Sequence, residues 1–290
     1  FIIIIKIIVI AFFSVYFISN MDPYFLGQDS FLYGLGAIGI VEGTFEKTNP
    51  FLEETGRYEF IPRQWVITEN NSVIPSTSVG LMAIGSIFYS LFGYYGLFYL
   101  VPISSIFLLI LSERITTKFF GSIAGLTALL LISSNLFFVR TGTDLLTGNI
   151  STVFLLIGFF YLINFLKTPK LSFAIIISTV FAISTLIRIS NLIFFPVEFI
   201  LIFAFFIYKS RKKKLFKIKI TKNSIIIFSL LLLPWIVFFT FQFSYNDYYF
   251  GDPLTKYVDV RIKIDPNISH NLDSSSLLSL DDSKIEKAGI

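Results

Sequence analysis

Seven stretches of this chain, 17 to 21 residues each, are dominated by apolar side chains: 2–18, 96–112, 119–139, 149–166, 171–187, 191–208 and 223–241. No other feature limits the fold as much. A helix needs about 20 such residues to cross about 30 Å of hydrocarbon. Unpaired backbone groups are costly there, so a spanning run must be helical or part of a closed barrel. Composition agrees, because 54% of the 290 residues are apolar and only 14% are charged, too few to cover a soluble surface of this size. The expectation is an all-α polytopic membrane protein with about seven transmembrane helices.

An eighth run, 76–92, holds seven Ser, Thr or Gly among its seventeen residues. The loops decide where it belongs, because cytoplasmic loops carry the excess of Lys and Arg. Residues 209–222 hold eight Lys/Arg and no acid, and two further loops of that kind carry Arg114 with Lys118 and Lys167 with Lys170. Loop 20–75 holds eight Asp/Glu against three Lys/Arg and belongs outside. If 76–92 lies along the outer surface, an N-terminus inside satisfies every loop. If it crosses, that assignment fails unless residue 1 starts outside and the acidic loop turns inward. Seven crossings are therefore preferred, and they send Asp29, Arg140, Asp144, Arg188 and the tail to one outer compartment. Residues 27–46, amphipathic and closed by Glu42 and Glu46, read as a juxtamembrane helix. The expected organisation is a membrane module over 1–241, including an external loop at 20–94, followed by residues 242–290 as an external loop or the start of a C-terminal region.

Several function classes drop out. There is no cysteine, hence no disulfide, thiolate metal site or cysteine nucleophile, and one histidine, His270, cannot build a histidine-rich centre. The net charge of +4 comes from basic residues concentrated in cytoplasmic-type loops and does not point to nucleic acid. No Walker loop, zinc signature or Gly-x-Ser-x-Gly elbow is found, which argues against nucleotide hydrolysis. The chain starts at Phe1 inside an apolar run and stops at "KIEKAGI", so it reads as a fragment. No small-residue cleavage site follows the first run, which reads as a span rather than a signal peptide.

The ionisable residues beside the apolar runs are the candidates for function, since charge at membrane depth is costly. Arg188, in "ISTLIRISNLIFFP", either snorkels at a span end or holds an anionic group such as a lipid phosphate, which its donor fork suits. Asp144, in "FFVRTGTDLLTGN", either pairs with Arg140 four residues earlier or caps a helix, or it orients an arginine, binds a sugar hydroxyl or joins a metal site. Asp29, in "LGQDSFLYGLG", either caps the helix beginning near Ser30 or works with the other charges that return to the same face. In "FQFSYNDYYFGDPLTKY", stacking aromatics stand beside a Gly-Asp-Pro turn, and Pro234 in "LLLPWIVFF" is expected to kink the last span. Sequons at Asn70 and Asn267 fall on the outer side.

In order and spacing these segments resemble the GT-C membrane glycosyltransferases, most closely the branch of dolichyl-phosphate-mannose–protein mannosyltransferases and the bacterial aminoarabinose transferase. Asp29 after the first span, "IPSTSVGLMAIGSIFYSLFGYYG", "SSNLFFVRTGTDLLTGN", "STLIRISNLIFFP" and "LLLPWIVFF…YNDYYFGDPLTKY" carry the likeness over nearly the whole chain. The chain departs from the family at Asp29-Ser30, where Asp-Glu is frequent, at Ile74-Pro75-Ser76 for a Pro-Pro, and at Ser134-Asn135 for a Ser-Pro. The resemblance implies a polyprenyl-phosphate sugar as donor, an acceptor hydroxyl on a protein, lipid or glycan, and transfer on the non-cytoplasmic face. It also implies that a helix like 76–92 belongs to the first external loop. On that basis Asp29 is the expected base, Asp144 its partner, and Arg188 the cation for the donor phosphate, helped by Arg140 and Arg63. No cofactor is assigned. A divalent metal between Asp29 and Asp144 stays an alternative, as some relatives of this kind use one. The competing class is a non-catalytic membrane protein: a transporter, a flippase or a scaffold subunit.

Overall fold

In the computed structural model, residues 1–21, 23–25, 27–48, 65–68, 72–75, 78–212 and 222–254 are described. Arg63, Asn70, Asn267 and His270 lie outside them. The protein is mostly helical, and among the described residues four helices are long and apolar enough to cross a membrane. It divides into two compact units, one of Phe1–Phe45 with Thr77–Phe241, the other of Glu46–Ser76 with Gln242–Ile290.

The first unit contains α1 (Ile2–Ser19), α2 (Gln28–Glu42), α3 (Val79–Phe120), α4 (Ser122–Ser133), α5 (Leu136–Thr141), α6 (Thr147–Lys167), α7 (Leu171–Ile187), α8 (Phe194–Lys212) and most of α9 (Lys222–Phe250). A 3-10 turn, Ile189–Ile193, joins α7 to α8. The four long apolar helices are α1, α3, α6 and α9; shorter apolar helices cover Ser122–Ser133, Leu171–Ile187 and Ile189–Phe205. Residues 27–46 were expected to form one helix and do so over Gln28–Glu42, where Gly43 at φ 71° stops it.

Two departures from the expected spans have local causes. The run 76–92 and the span at 96–112 belong to one 42-residue element, α3, broken at Gly93, whose φ of 66° and ψ of −161° only glycine adopts readily. The run 119–139 is not one helix. Gly121 closes α3, α4 lasts twelve residues, and Asn135 starts α5 by accepting the Phe138 N–H at 3.1 Å. Pro234 falls inside α9, which continues as a single helix to Phe250. Pro196, by contrast, sits in the first turn of α8, where its missing N–H is harmless.

Side-chain contacts define two ends of this helical bundle. At one, Lys6 Nζ donates to Glu113 Oε1 at 2.6 Å, Thr117 Oγ1 at 2.8 Å and Ser122 Oγ at 3.1 Å. There too Lys118 Nζ donates to Asn164 Oδ1 at 2.9 Å, and Lys167 Nζ lies 4.6 Å from the Phe119 ring centre. The basic segments 114–118, which lie in the last turns of α3 rather than in a loop, and 167–170, assigned to one side by charge alone, are thus neighbours. At the other end the start of α3 meets the end of α7, where Ser78 Oγ donates to the Ile187 carbonyl at 2.6 Å.

The helices α7, α8 and α9 share a core of Ile177, Phe181, Ile202, Leu231, Trp235 and Phe238. Inside it is an acid that sequence reasoning passed over. Glu198 is fully buried, and its Oε1 accepts from Ser178 Oγ and Trp235 Nε1, both at 2.7 Å, so one oxygen links the three helices. Its Oε2 has no hydrogen-bond partner among the described residues.

The second unit adds a feature outside the helical expectation, a small antiparallel sheet in the order β1 (Lys47–Thr48), β3 (Ser72–Pro75), β2 (Trp65–Ile67). Lys47 pairs with Val73 and Ile67 also with Val73, on opposite sides of the central strand. Ser72 Oγ donates to Glu46 Oε1, and Thr68 Oγ1 is 2.5 Å from Ser72 Oγ. At the end of α9 the expected turn is present. Gly251 takes φ 66°, its N–H reaches the Asp247 carbonyl at 2.9 Å, and Asp252 accepts the Leu254 N–H at 3.0 Å. Tyr249 lies 4.8 Å from both Tyr245 and Tyr248 between ring centres.

Candidate functional site

The site-bearing segments are built into the end of the first unit opposite Lys6. Asp29 occupies the first turn of α2 and is exposed. It is not the cap. Gly27 takes that position, its N–H donating to Ser30 Oγ at 3.0 Å while Ser30 Oγ donates to the Gly27 carbonyl at 2.9 Å. The Asp29 carboxylate is thereby released from a capping role, and it lies where the helix dipole favours negative charge.

Asp144 follows α5 in an irregular turn and is half-buried. The expected alternative of an i,i+4 pair with Arg140 does not form, because α5 ends at Thr141. Among the described residues the sole ion pair is Lys6–Glu113. Arg140 is exposed in the last turn of α5. The turn itself is pinned to α3: Ser105 Oγ accepts from Asn149 Nδ2 at 2.9 Å and reaches the Gly142 carbonyl at 3.4 Å.

Arg188 sits at the break after α7, exposed, with extended backbone at φ −145° and ψ 106°. Buried polar groups hold that break. Asn191 Nδ2 donates to Ser184 Oγ at 2.7 Å, and Ser184 Oγ donates to the Ser151 carbonyl on α6 at 3.0 Å. The start of α3 presses against the same place: a Cβ on Gly80 would lie 2.4 Å from the Leu186 carbonyl carbon and 2.5 Å from the Ile187 nitrogen. Gly80→Val therefore forces the two backbones apart. The expected loss is about 1–3 kcal/mol, typical of overpacking, read as a lower melting temperature in detergent; an unchanged melt would mean that α3 shifts freely.

Tyr33, one turn beyond Asp29 on α2, ties these pieces together. Its ring packs in one core with Leu81, Met82, Leu145, Ile150 and Ile187, so the neighbours of Asp144 and Arg188 in sequence share a cluster with it. Burial first of all raises its phenol above the ordinary tyrosine range. Hydrogen-bonding influence from Ser78 and Thr147 and the charge of Arg188 act the other way, while the charge of Asp29 adds to the rise. Both charges thus bear on one hydroxyl.

Among the described residues no three acidic or histidine side chains gather as metal ligands. Asp29 and Asp144 supply two carboxylates at most, a thin donor set for a hard cation. A cavity of about 390 Å³ lined by Phe13, Thr127, Leu130, Leu131, Ser133 and Ser134 contains none of the candidate residues.

Tyr33 stands out in sequence only by lying one helical turn after Asp29, and Ser78 and Thr147 were not legible as site residues, being ordinary hydroxyls. Glu198 and Lys6 did carry a signal, since each is a lone charge inside an apolar run, whereas Glu113 stands beside Arg114 just past the end of one. No protein-family model matches the chain, and no curated protein matches it. Fold and composition define the class: a largely helical protein with helices suited to a membrane.

Proposed function

We propose that this chain is a seven-span GT-C-like membrane module of a glycosyltransferase, moving a sugar from a polyprenyl-phosphate donor to an acceptor hydroxyl on the non-cytoplasmic face. The carrying observation is the shared core around Tyr33, which draws the segments bearing Asp29, Asp144 and Arg188 to one end of a bundle whose other end is rich in lysine. The four long apolar helices support four of these crossings, and the three shorter apolar segments fall where the other three are proposed, with the first part of α3, before Gly93, taken to rest at the outer surface.

The chemistry is a single inverting displacement. The acceptor oxygen attacks the anomeric carbon, the bond from that carbon to the phosphate oxygen breaks, and the phosphate departs with the electron pair. Asp29 takes the acceptor's proton as general base. Arg188, aided by Arg140, balances charge growing on the leaving phosphate, a preorganised electrostatic role. Asp144 orients the base or the acceptor. The lipid tail of the donor remains in the bilayer, so a cation at headgroup depth can hold its phosphate.

One observation favours a non-catalytic scaffold instead: the residue after Asp29 is Ser30, whose hydroxyl is engaged in the helix cap and adds no second carboxylate. Mass spectrometry of lipid co-purified with the protein separates the two. A bound polyprenyl-phosphate sugar supports the transferase. Arg188→Ala should then weaken donor binding about 10–100-fold, the scale of a lost charge-assisted bidentate contact, with the melting temperature kept. Unaltered donor affinity would return Arg188 to snorkelling.

A further inference from the structure

The end of the first unit that carries Lys6 and Glu113 holds charges that sugar transfer does not use. Lys118 lies in the last turn of α3, Lys167 in the last turn of α6, and Lys170 immediately before α7. All three residues are exposed, and each ammonium group stands against an aromatic ring. Lys118 Nζ is 4.3 Å from the Phe160 ring centre and 5.8 Å from that of Phe119, while Lys167 Nζ lies 4.6 Å from the same Phe119 ring. Lys170 Nζ is 5.6 Å from the Phe173 ring centre, and Phe173 meets Tyr161 of α6 edge to face at 5.4 Å. Rings from α3, α6 and α7 thus orient three cations at one junction.

A ring face attracts an ammonium group without cancelling its charge. The one hydrogen bond here, from Lys118 Nζ to Asn164 Oδ1 at 2.9 Å, goes to a neutral amide. Among the described residues the sole ion pair is Lys6–Glu113, so no carboxylate pairs with these three lysines. Helix dipoles favour Lys118 and Lys167 at the ends of α3 and α6, but Lys170 stands at the start of α7, where a dipole favours negative charge. Apolar side chains adjoin the cations: Phe120 is 78% exposed and Leu171 46%.

From this arrangement we propose that Lys118, Lys167 and Lys170 form a binding site for an anionic phospholipid of the leaflet that meets this end of the bundle. The headgroup phosphate lies against the ammonium groups, and the acyl chains run along Phe120 and Leu171. A soluble anion would use the charges alone, whereas an amphiphile uses both. Basic clusters between membrane helices suit such headgroups, and binding relieves repulsion among three like charges. The site lies at the end of the unit opposite Tyr33 and does not depend on sugar transfer.

The test is native mass spectrometry of protein released from nanodiscs of equal parts phosphatidylglycerol and phosphatidylcholine. Retained lipid should be enriched in phosphatidylglycerol. Lys167→Gln should lower that enrichment about fivefold, the factor equivalent to about 1 kcal/mol per basic residue at an anionic membrane surface. Lys118→Gln/Lys167→Gln/Lys170→Gln should abolish it, yet melt close to the parent in pure phosphatidylcholine, because no ion pair is lost. Phosphatidylglycerol should raise the melting temperature of the parent alone, and inorganic phosphate added to phosphatidylcholine nanodiscs should leave it unchanged. Equal enrichment in the parent and the lysine variants overturns the proposal. So does a stabilisation by inorganic phosphate that matches the lipid's, which would mark a site for a soluble anion.

Discussion

On the proposed transferase reading, Asp29→Asn should reduce sugar transfer about 10²–10⁴-fold, the contribution expected of a positioned general base, while donor binding and the fold survive. The substitution is a clean test because Asp29 has no competing structural duty at the start of α2. Gly27 and Ser30 close that cap between them, and the Asp29 side chain is exposed. Asparagine keeps the size of the side chain and removes its charge. The structural cost is confined to a lost interaction with the helix dipole, about 0.3–1 kcal/mol. Turnover by purified protein supplied with a polyprenyl-phosphate sugar is the measurement. Full turnover would remove Asp29 from the mechanism, whatever else the site does.

The largest stability effect should come from the opposite end of the bundle. Glu113→Ala strips Lys6 of its ion-pair partner and leaves an ammonium group buried beside Thr117 and Ser122. The side chains of Lys6 and Glu113 are only 8% and 13% exposed, and they join α1 to α3 across 107 residues of chain. Breaking one half of a buried pair typically costs about 3–5 kcal/mol, because an uncompensated charge remains. The double replacement Lys6→Met/Glu113→Leu should be much milder, since both charges leave together and apolar side chains fill the space. Unfolding in detergent, followed by circular dichroism, distinguishes these cases. If the single and double variants melt alike, the pair carries no net coupling and α1 is held by apolar packing alone.

Neither charge was singled out from sequence, although Lys6 could have been. The rule that flagged Arg188 applies equally to Lys6 inside the first apolar run and Glu198 inside the sixth. What the rule cannot supply is a partner. Lys6 and Glu113 are far apart along the chain, and nothing in either neighbourhood encodes the other. The break at Gly93 was better marked: a glycine between two apolar stretches, one of them rich in Ser, Thr and Gly, is a natural place for a helix to change course. The split of 119–139 was less visible, because its apolar character is continuous and only Gly121 and Asn135 punctuate it.

The sequence by itself determined that the protein is mostly helical with long helices apolar enough for hydrocarbon, and it marked the basic segments at 114–118 and 167–170 that the fold brings together. Both follow from transfer free energy and charge, properties of short stretches that need no long-range information. Only the tertiary structure decided that Tyr33, Leu145 and Ile187 pack together, that Asp29 is free of its cap, and that Glu198 links three helices. Such facts depend on which helix faces meet, and many helix faces here are equally apolar. Hydrophobicity puts helices into a bilayer without choosing their neighbours; small residues such as Gly80 and a few buried hydrogen bonds make that choice.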